Sequence, residues 1–63
     1  MGGMKQTIAY FGSITKMATA LKCHYQSIQF WEKNGIPVKR AIQIEEVTDG
    51  AISRQSLRPD IFE

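Results

Sequence analysis

Gln26, Gln29, Phe30 and Lys33 share one side of a helix when consecutive residues turn about 100°. Two amides, an aromatic ring and an ammonium on one helical face can read base edges in a DNA groove and hold phosphates. Glutamine can pair with adenine through two hydrogen bonds, a ring can rest on a thymine methyl, and lysine is a phosphate contact. Tyr25 lies at the start of the same helix, on its flank. Any small domain also has a solvated face carrying Gln and Lys. What separates the two readings is the scaffold behind the face.

That scaffold has a recognisable spacing. Ile28 and Trp31 fall on the opposite, inward side of the helix. Before it, Ile14, Met17, Ala18 and Leu21 recur at i, i+3, i+4 and i+7, the stripe of a second amphipathic helix. Only Lys22, Cys23 and His24 separate Leu21 from Tyr25. So short a connection crosses two helices rather than laying them antiparallel, which predicts a helix-turn-helix over about residues 13–34. Ala18 is the small residue that lets the second helix cross closely. The outward face of that second helix is therefore read as a duplex-DNA surface.

The remaining elements follow in order. Met4 to Phe11 reads as a first helix with Met4, Ile8 and Phe11 on one side, and Met1-Gly2-Gly3 as a flexible end. Gly12 suits the left-handed stop and Ser13 the N-cap of the next helix. The N-terminus of that helix, with Thr15 and Lys16, offers N–H groups and a positive dipole end to a phosphate. Lys22 occupies a turn position that usually has φ > 0, where a Cβ costs roughly 1–2 kcal/mol. Either the turn is rebuilt, or the strain is kept because a lysine near the DNA backbone is useful. His24 stands at the N-cap of the recognition helix as a poor cap, and Asn34-Gly35 ends that helix.

Ile36-Pro37 opens a fourth helix running to about Thr48, with Ala41, Ile44, Val47 and Thr48 as its inward stripe. Lys39 and Arg40 lie in its opening turns, placed for phosphates flanking the groove. Val38 and Ile42 are left over, to seat the C-terminal segment or to join a dimer contact. Asp49-Gly50 stops the helix. Residues 51–63 predict a helical turn from Ser53 and then an extended segment whose Ile52, Leu57, Ile61 and Phe62 pack back on the body or across a partner.

Composition narrows the function classes. Sixty-three residues make one small domain with a marginal core, the size at which oligomerisation often adds stability. The net charge is +2, unevenly placed. Residues 1–34 hold four lysines against one glutamate; residues 35–63 hold four cations against five acids. The helix-turn-helix half is the basic half. The lone cysteine excludes an internal disulfide, and Cys23 with His24 is two ligands where zinc needs three or four, so no metal or cofactor is expected. No paired carboxylates, and no nucleophile with a base, suggest an enzyme or a small-molecule substrate. No apolar run approaches the ~20 residues of a membrane span. Gln6 departs from the Ser or Thr of a myristoylation signal.

The chain resembles a family. Ala18, Lys22, Ile28 and Trp31 fall where helix-turn-helix repressors place a small residue, a turn glycine, a β-branched core residue and a core aromatic. Ile36-Pro37, Arg40-Ala41, Ile44-Glu45, Thr48-Asp49-Gly50-Ala51 and Leu57-Arg58-Pro59-Asp60 follow in the order found in Cro-type and YdaS-like regulators of temperate phages and prophages. The resemblance covers about Ile8 to Phe62. Lys22 in place of the turn glycine is one departure. The other is Ser53-Arg54-Gln55-Ser56, which lacks the acid of a capping box. The resemblance implies an all-α fold of four or five helices, of the lambda-repressor-like class. It also implies a Cro-type repressor that blocks a double-stranded DNA operator as a homodimer, in the cytoplasm of a bacterial host, at the nucleoid. Tyr25, Gln26, Gln29 and Phe30 then read bases, while Thr15, Lys16, Lys22, Lys33, Lys39 and Arg40 hold phosphates. The alternative is an antitoxin-like or adaptor module docking a partner protein through Phe30, Ile42 and Phe62.

Overall fold

A computed structural model describes residues 2–62. Five helices follow one another: α1 Gly2–Phe11, α2 Ile14–Leu21, α3 Tyr25–Asn34, α4 Val38–Val47 and α5 Arg54–Leu57. The described residues contain no strand, as the all-α reading expects. α2 packs against α1, α3 and α4, and α5 closes the body by resting on α1 and α4.

The predicted stripes form one core. Met17, Ala18 and Leu21 of α2 meet Ile28 and Trp31 of α3 and Ala41 and Ile44 of α4, all buried. Met4 joins them, and Ile8, Phe11, Ile14 and Cys23 pack on the edge. Ile36, between α3 and α4, is also fully buried.

Helix boundaries follow their local chemistry. Gly12 has φ 101°, where glycine meets no Cβ clash. Ser13 caps α2, its hydroxyl accepting from the Lys16 N–H at 3.1 Å. Pro37 is the N-cap of α4, so the helix begins one residue after it. Thr48 is polar yet buried, because its hydroxyl donates to the Ile44 carbonyl at 2.7 Å and accepts from the Ile52 N–H at 3.1 Å. It pins the turn in which Asp49 (φ 52°) and Gly50 (φ 84°) reverse the chain. Thr7 is satisfied similarly, donating to the Gly3 carbonyl at 2.6 Å.

Four expectations need correction. The segment after α5 is not extended but turns at residues 59–61, where the Ile61 and Phe62 N–H groups both donate to the Arg58 carbonyl, at 3.1 and 2.9 Å. Gly2 and Gly3 are helical rather than a flexible end; Met1 lies outside the described residues. A Cβ on Gly3 would stand 2.5 Å from the Ser56 carbonyl oxygen, so glycine lets α1 and α5 meet backbone to backbone. Val47 is 44 % exposed and does not belong to the inward stripe. At about 100° per residue Ala41, Ile44 and Thr48 cluster within about 60° around the helix, and Val47 lies about 90° off the middle of that stripe. Ile61 is 47 % exposed, whereas Ile52 and Leu57 are buried and Phe62 is half-buried.

α5 has its own fastenings. Ser53 accepts from the Ser56 N–H at 3.2 Å. The acid missing from the local capping box is supplied from α4. Glu45 Oε2 accepts from the Arg54 N–H at 3.1 Å, while Oε1 pairs with the Arg54 guanidinium at 2.8 Å. These bonds hold the Glu45 carboxyl below the usual carboxylate range, the backbone bond contributing most. Arg54 also lies 5.5 Å from the centre of the Phe62 ring. Beyond α5, Arg58 donates to the Ile36 carbonyl at 2.7 Å and pairs with Asp60 at 2.8 Å. That pairing lowers the Asp60 pKa and raises that of Arg58.

Candidate nucleic-acid interface

The site is assembled by the α2–α3 crossing. Leu21 ends α2, and Lys22 follows with φ 57° and ψ 49°, the left-handed conformation that the sequence makes awkward for a lysine. The turn is therefore kept and not rebuilt. The Lys22 N–H donates to the Thr19 carbonyl at 3.3 Å and the Cys23 N–H to the Ala18 carbonyl at 3.0 Å. This is the paired bonding of a Schellman stop. Cys23 packs on the core edge behind it. His24 is the N-cap of α3 with extended backbone, and its side chain makes no capping bond.

α3 divides cleanly. Ile28 and Trp31 are buried, while Tyr25, Gln26, Gln29, Phe30 and Lys33 are exposed. Phe30 is 62 % and Tyr25 52 % exposed, two large rings left in water, Phe30 on the outward face and Tyr25 on its flank. No hydrogen bond among the described residues uses the side chains of Tyr25, Gln26, Gln29 or Lys33. Glu32 is exposed on the flank of this face, the one acid in α3.

The six residues assigned to phosphates separate into two groups. Thr15, Lys16, Lys22, Lys33 and Lys39 are exposed. Lys16 folds beside Gly12, where its ammonium would lie 3.6 Å from any Cβ placed there. Arg40 is half-buried and its guanidinium is engaged within the protein. One nitrogen donates to the Leu21 carbonyl at 3.0 Å and to Gln43 Oε1 at 2.7 Å. The guanidinium carbon lies 5.7 Å from the centre of the Trp31 ring. Gln43, absent from the sequence-based assignments, also reaches the Leu21 carbonyl, at 3.4 Å. A signal for this pair exists in retrospect. Arg40 and Gln43 lie three apart on one helix face, and the carbonyl before a left-handed stop has no partner within its own helix.

Of the three residues expected to dock a partner protein, only Phe30 is exposed; Ile42 and Phe62 are half-buried. Among the described residues, no three His, Cys, Asp or Glu side chains gather as a metal set. No helix of the described residues is long and apolar enough to cross a membrane.

Residues 4–63 match the family described as bacterial toxin YdaS. The chain belongs to the YdaS family. A solved structure agrees along the whole length. This YdaS-family chain superposes with a TM-score of 0.91 on the Cro protein of the element designated prophage Xfaso 1 in Xylella fastidiosa strain Ann-1. The two are 34 % identical, and the likeness covers 100 % of this chain and 98 % of the other. No curated protein matches. The motifs by which the sequence resembles Cro-type and YdaS-like regulators are mostly fastenings of the fold. Ile36 fills the core, Thr48 pins the turn, Glu45 caps α5, and Arg58 ties the C-terminal segment to the Ile36 carbonyl.

Proposed function

We propose that this YdaS-family protein is a Cro-type repressor that binds a specific duplex DNA operator and works by occluding it. The observation that carries the reading is the full-length likeness to a Cro protein, at a TM-score of 0.91. The outward face of α3 supports it chemically. Gln26 and Gln29 offer amides for base edges, Phe30 a ring for a thymine methyl, and Tyr25 a hydroxyl at the rim. Thr15, Lys16, Lys22, Lys33 and Lys39 are the exposed groups assigned to phosphates, on α2, the turn, α3 and the start of α4. Two copies acting together would meet two half-sites of a near-palindrome. No step of bond chemistry belongs to this function.

The test is selection of bound duplexes from a random pool, followed by titration of the recovered sequence against scrambled duplex. A recovered consensus bound at least about a thousandfold tighter than scrambled DNA supports the reading. Equal affinity for both sinks it.

The family's description as a toxin favours a second reading, a module that docks a partner protein through exposed Phe30. Salt separates the two. Phosphate contacts release counterions, so DNA affinity falls steeply with ionic strength, whereas apolar docking responds little.

A further inference from the structure

Arg40 and Gln43 converge on one atom, the Leu21 carbonyl oxygen, from the neighbouring helix α4. Leu21 is fully buried, and its carbonyl lies at the C-terminus of α2, the negative end of the helix dipole. A buried carbonyl there needs a donor, and a cation complements the dipole as well. The same guanidinium lies over Trp31, the buried anchor of α3. Arg40 therefore touches the last carbonyl of the first crossing helix, the aromatic anchor of the second, and Gln43 on its own. The residue after that carbonyl is Lys22, held left-handed.

We infer that Arg40, with Gln43, is a positioning residue that fixes α3 relative to α2, and that it acts on DNA affinity through this clamp rather than as a phosphate contact. The inference rests on the DNA-binding reading only for its consequence; the clamp itself is a property of the free protein. One terminal nitrogen carries the bonds to the carbonyl and to Gln43 Oε1 while the planar guanidinium stays over the indole, and the point charge on lysine's shorter stem has no such plane to lay there.

The test uses full-length Arg40→Lys, Arg40→Met and Gln43→Met proteins, each checked by circular dichroism for a folded state at the assay temperature. The free proteins are first compared by amide hydrogen exchange. Faster exchange at the Lys22 and Cys23 amides and in the first turn of α3, with α5 unchanged, is expected for all three. A wild-type exchange pattern in any folded variant overturns the clamp. The second arm titrates the duplex recovered with the wild-type protein over a range of salt. Arg40→Lys is expected to lose about tenfold or more in affinity at an unchanged salt slope, since the Leu21 carbonyl loses its shorter bond and Trp31 its guanidinium while no phosphate contact is removed. Retained affinity in Arg40→Lys, together with an Arg40→Met slope lower by about 0.9, identifies a phosphate contact and overturns the inference. Gln43→Met, which leaves the charge of α4 unchanged, decides the matter should the Arg40 variants not fold. Failure of the wild-type protein to select any duplex refutes the repressor reading alone, and hydrogen exchange still decides the clamp.

Discussion

Lys22 holds φ 57° where glycine would be unstrained. Lys22→Gly is therefore expected to raise stability by up to about 1 kcal/mol, the relief of the Cβ clash less the freedom glycine adds to the unfolded chain. Thermal melts measure it, and a loss of stability would contradict the strain argument. Lower affinity for the recovered duplex in that more stable protein would give the Lys22 ammonium a phosphate contact. Two neighbours on α3 are expected to fail differently. Gln29→Ala relaxes preference at one operator position by about 1–3 kcal/mol and leaves the salt slope unchanged. Phe30→Ala weakens binding mainly at a thymine-bearing position, and replacing that thymine by uracil in wild-type titrations reproduces the loss. An equal loss on every single-base variant, with a lower melting temperature, would place Phe30 in a protein contact instead. At this scale the sequence was informative wherever a residue obeys local backbone chemistry. Ser13, Gly12, the left-handed option for Lys22 and the poor cap at His24 all follow from a few adjacent residues. Arg40 was less legible, because its partner carbonyl lies 19 residues away and no spacing rule encodes a side chain reaching a remote backbone atom.

Among the elements, α5 depends most on others. Its four residues cannot hold a helix alone. Glu45 supplies a cap from α4, Gly3 a close approach from α1, and Arg58 a bond to Ile36. Glu45 and Asp60 both have lowered pKa values in the folded protein. A lowered acid contributes stability above its unfolded pKa and loses that contribution as pH falls through the folded one. Docking of α5 and the following segment is therefore expected to weaken below about pH 4, the ordinary carboxylate range. Amide exchange in residues 52–62 measured against pH, with Glu45→Gln as control, tests this. The control is expected to show the loosened state already at neutral pH; a pH profile identical in both proteins would contradict it. The existence of the helices is legible because apolar residues recur at helical spacing, four in α2, three in α1 and two in α3. Two details escaped. Thr48 lies in the inward stripe as expected, but Val47, expected beside it, turns outward. Gly2 and Gly3 read as a loose end, yet both are helical, and Gly3 is required by a helix crossing that only the folded chain reveals.

On the scale of the molecule, the four exposed lysines assigned to phosphates, 16, 22, 33 and 39, spread over three helices and a turn. If each meets one phosphate, the logarithm of affinity falls with the logarithm of salt with a slope near −0.9 per contact. Lys33→Ala is expected to lower that slope by about one and to weaken all sequences alike. A slope near zero in the wild-type protein would end the DNA reading. Footprints are expected to show two half-sites one helical turn apart, centre to centre, and protection of a single half-site at saturation would contradict a paired mode of binding. The division within α3 has a consequence for how such a protein changes over generations. Ile28 and Trp31 anchor the helix, while the outward side chains at 25, 26, 29 and 33 join no internal hydrogen bond among the described residues and Phe30 stands mostly in water. Drift at those five positions meets little resistance from folding. If that face reads DNA as proposed, a lineage could exchange one target sequence for another while the body beneath stays the same, and descendants that fold alike need not answer to the same promoter.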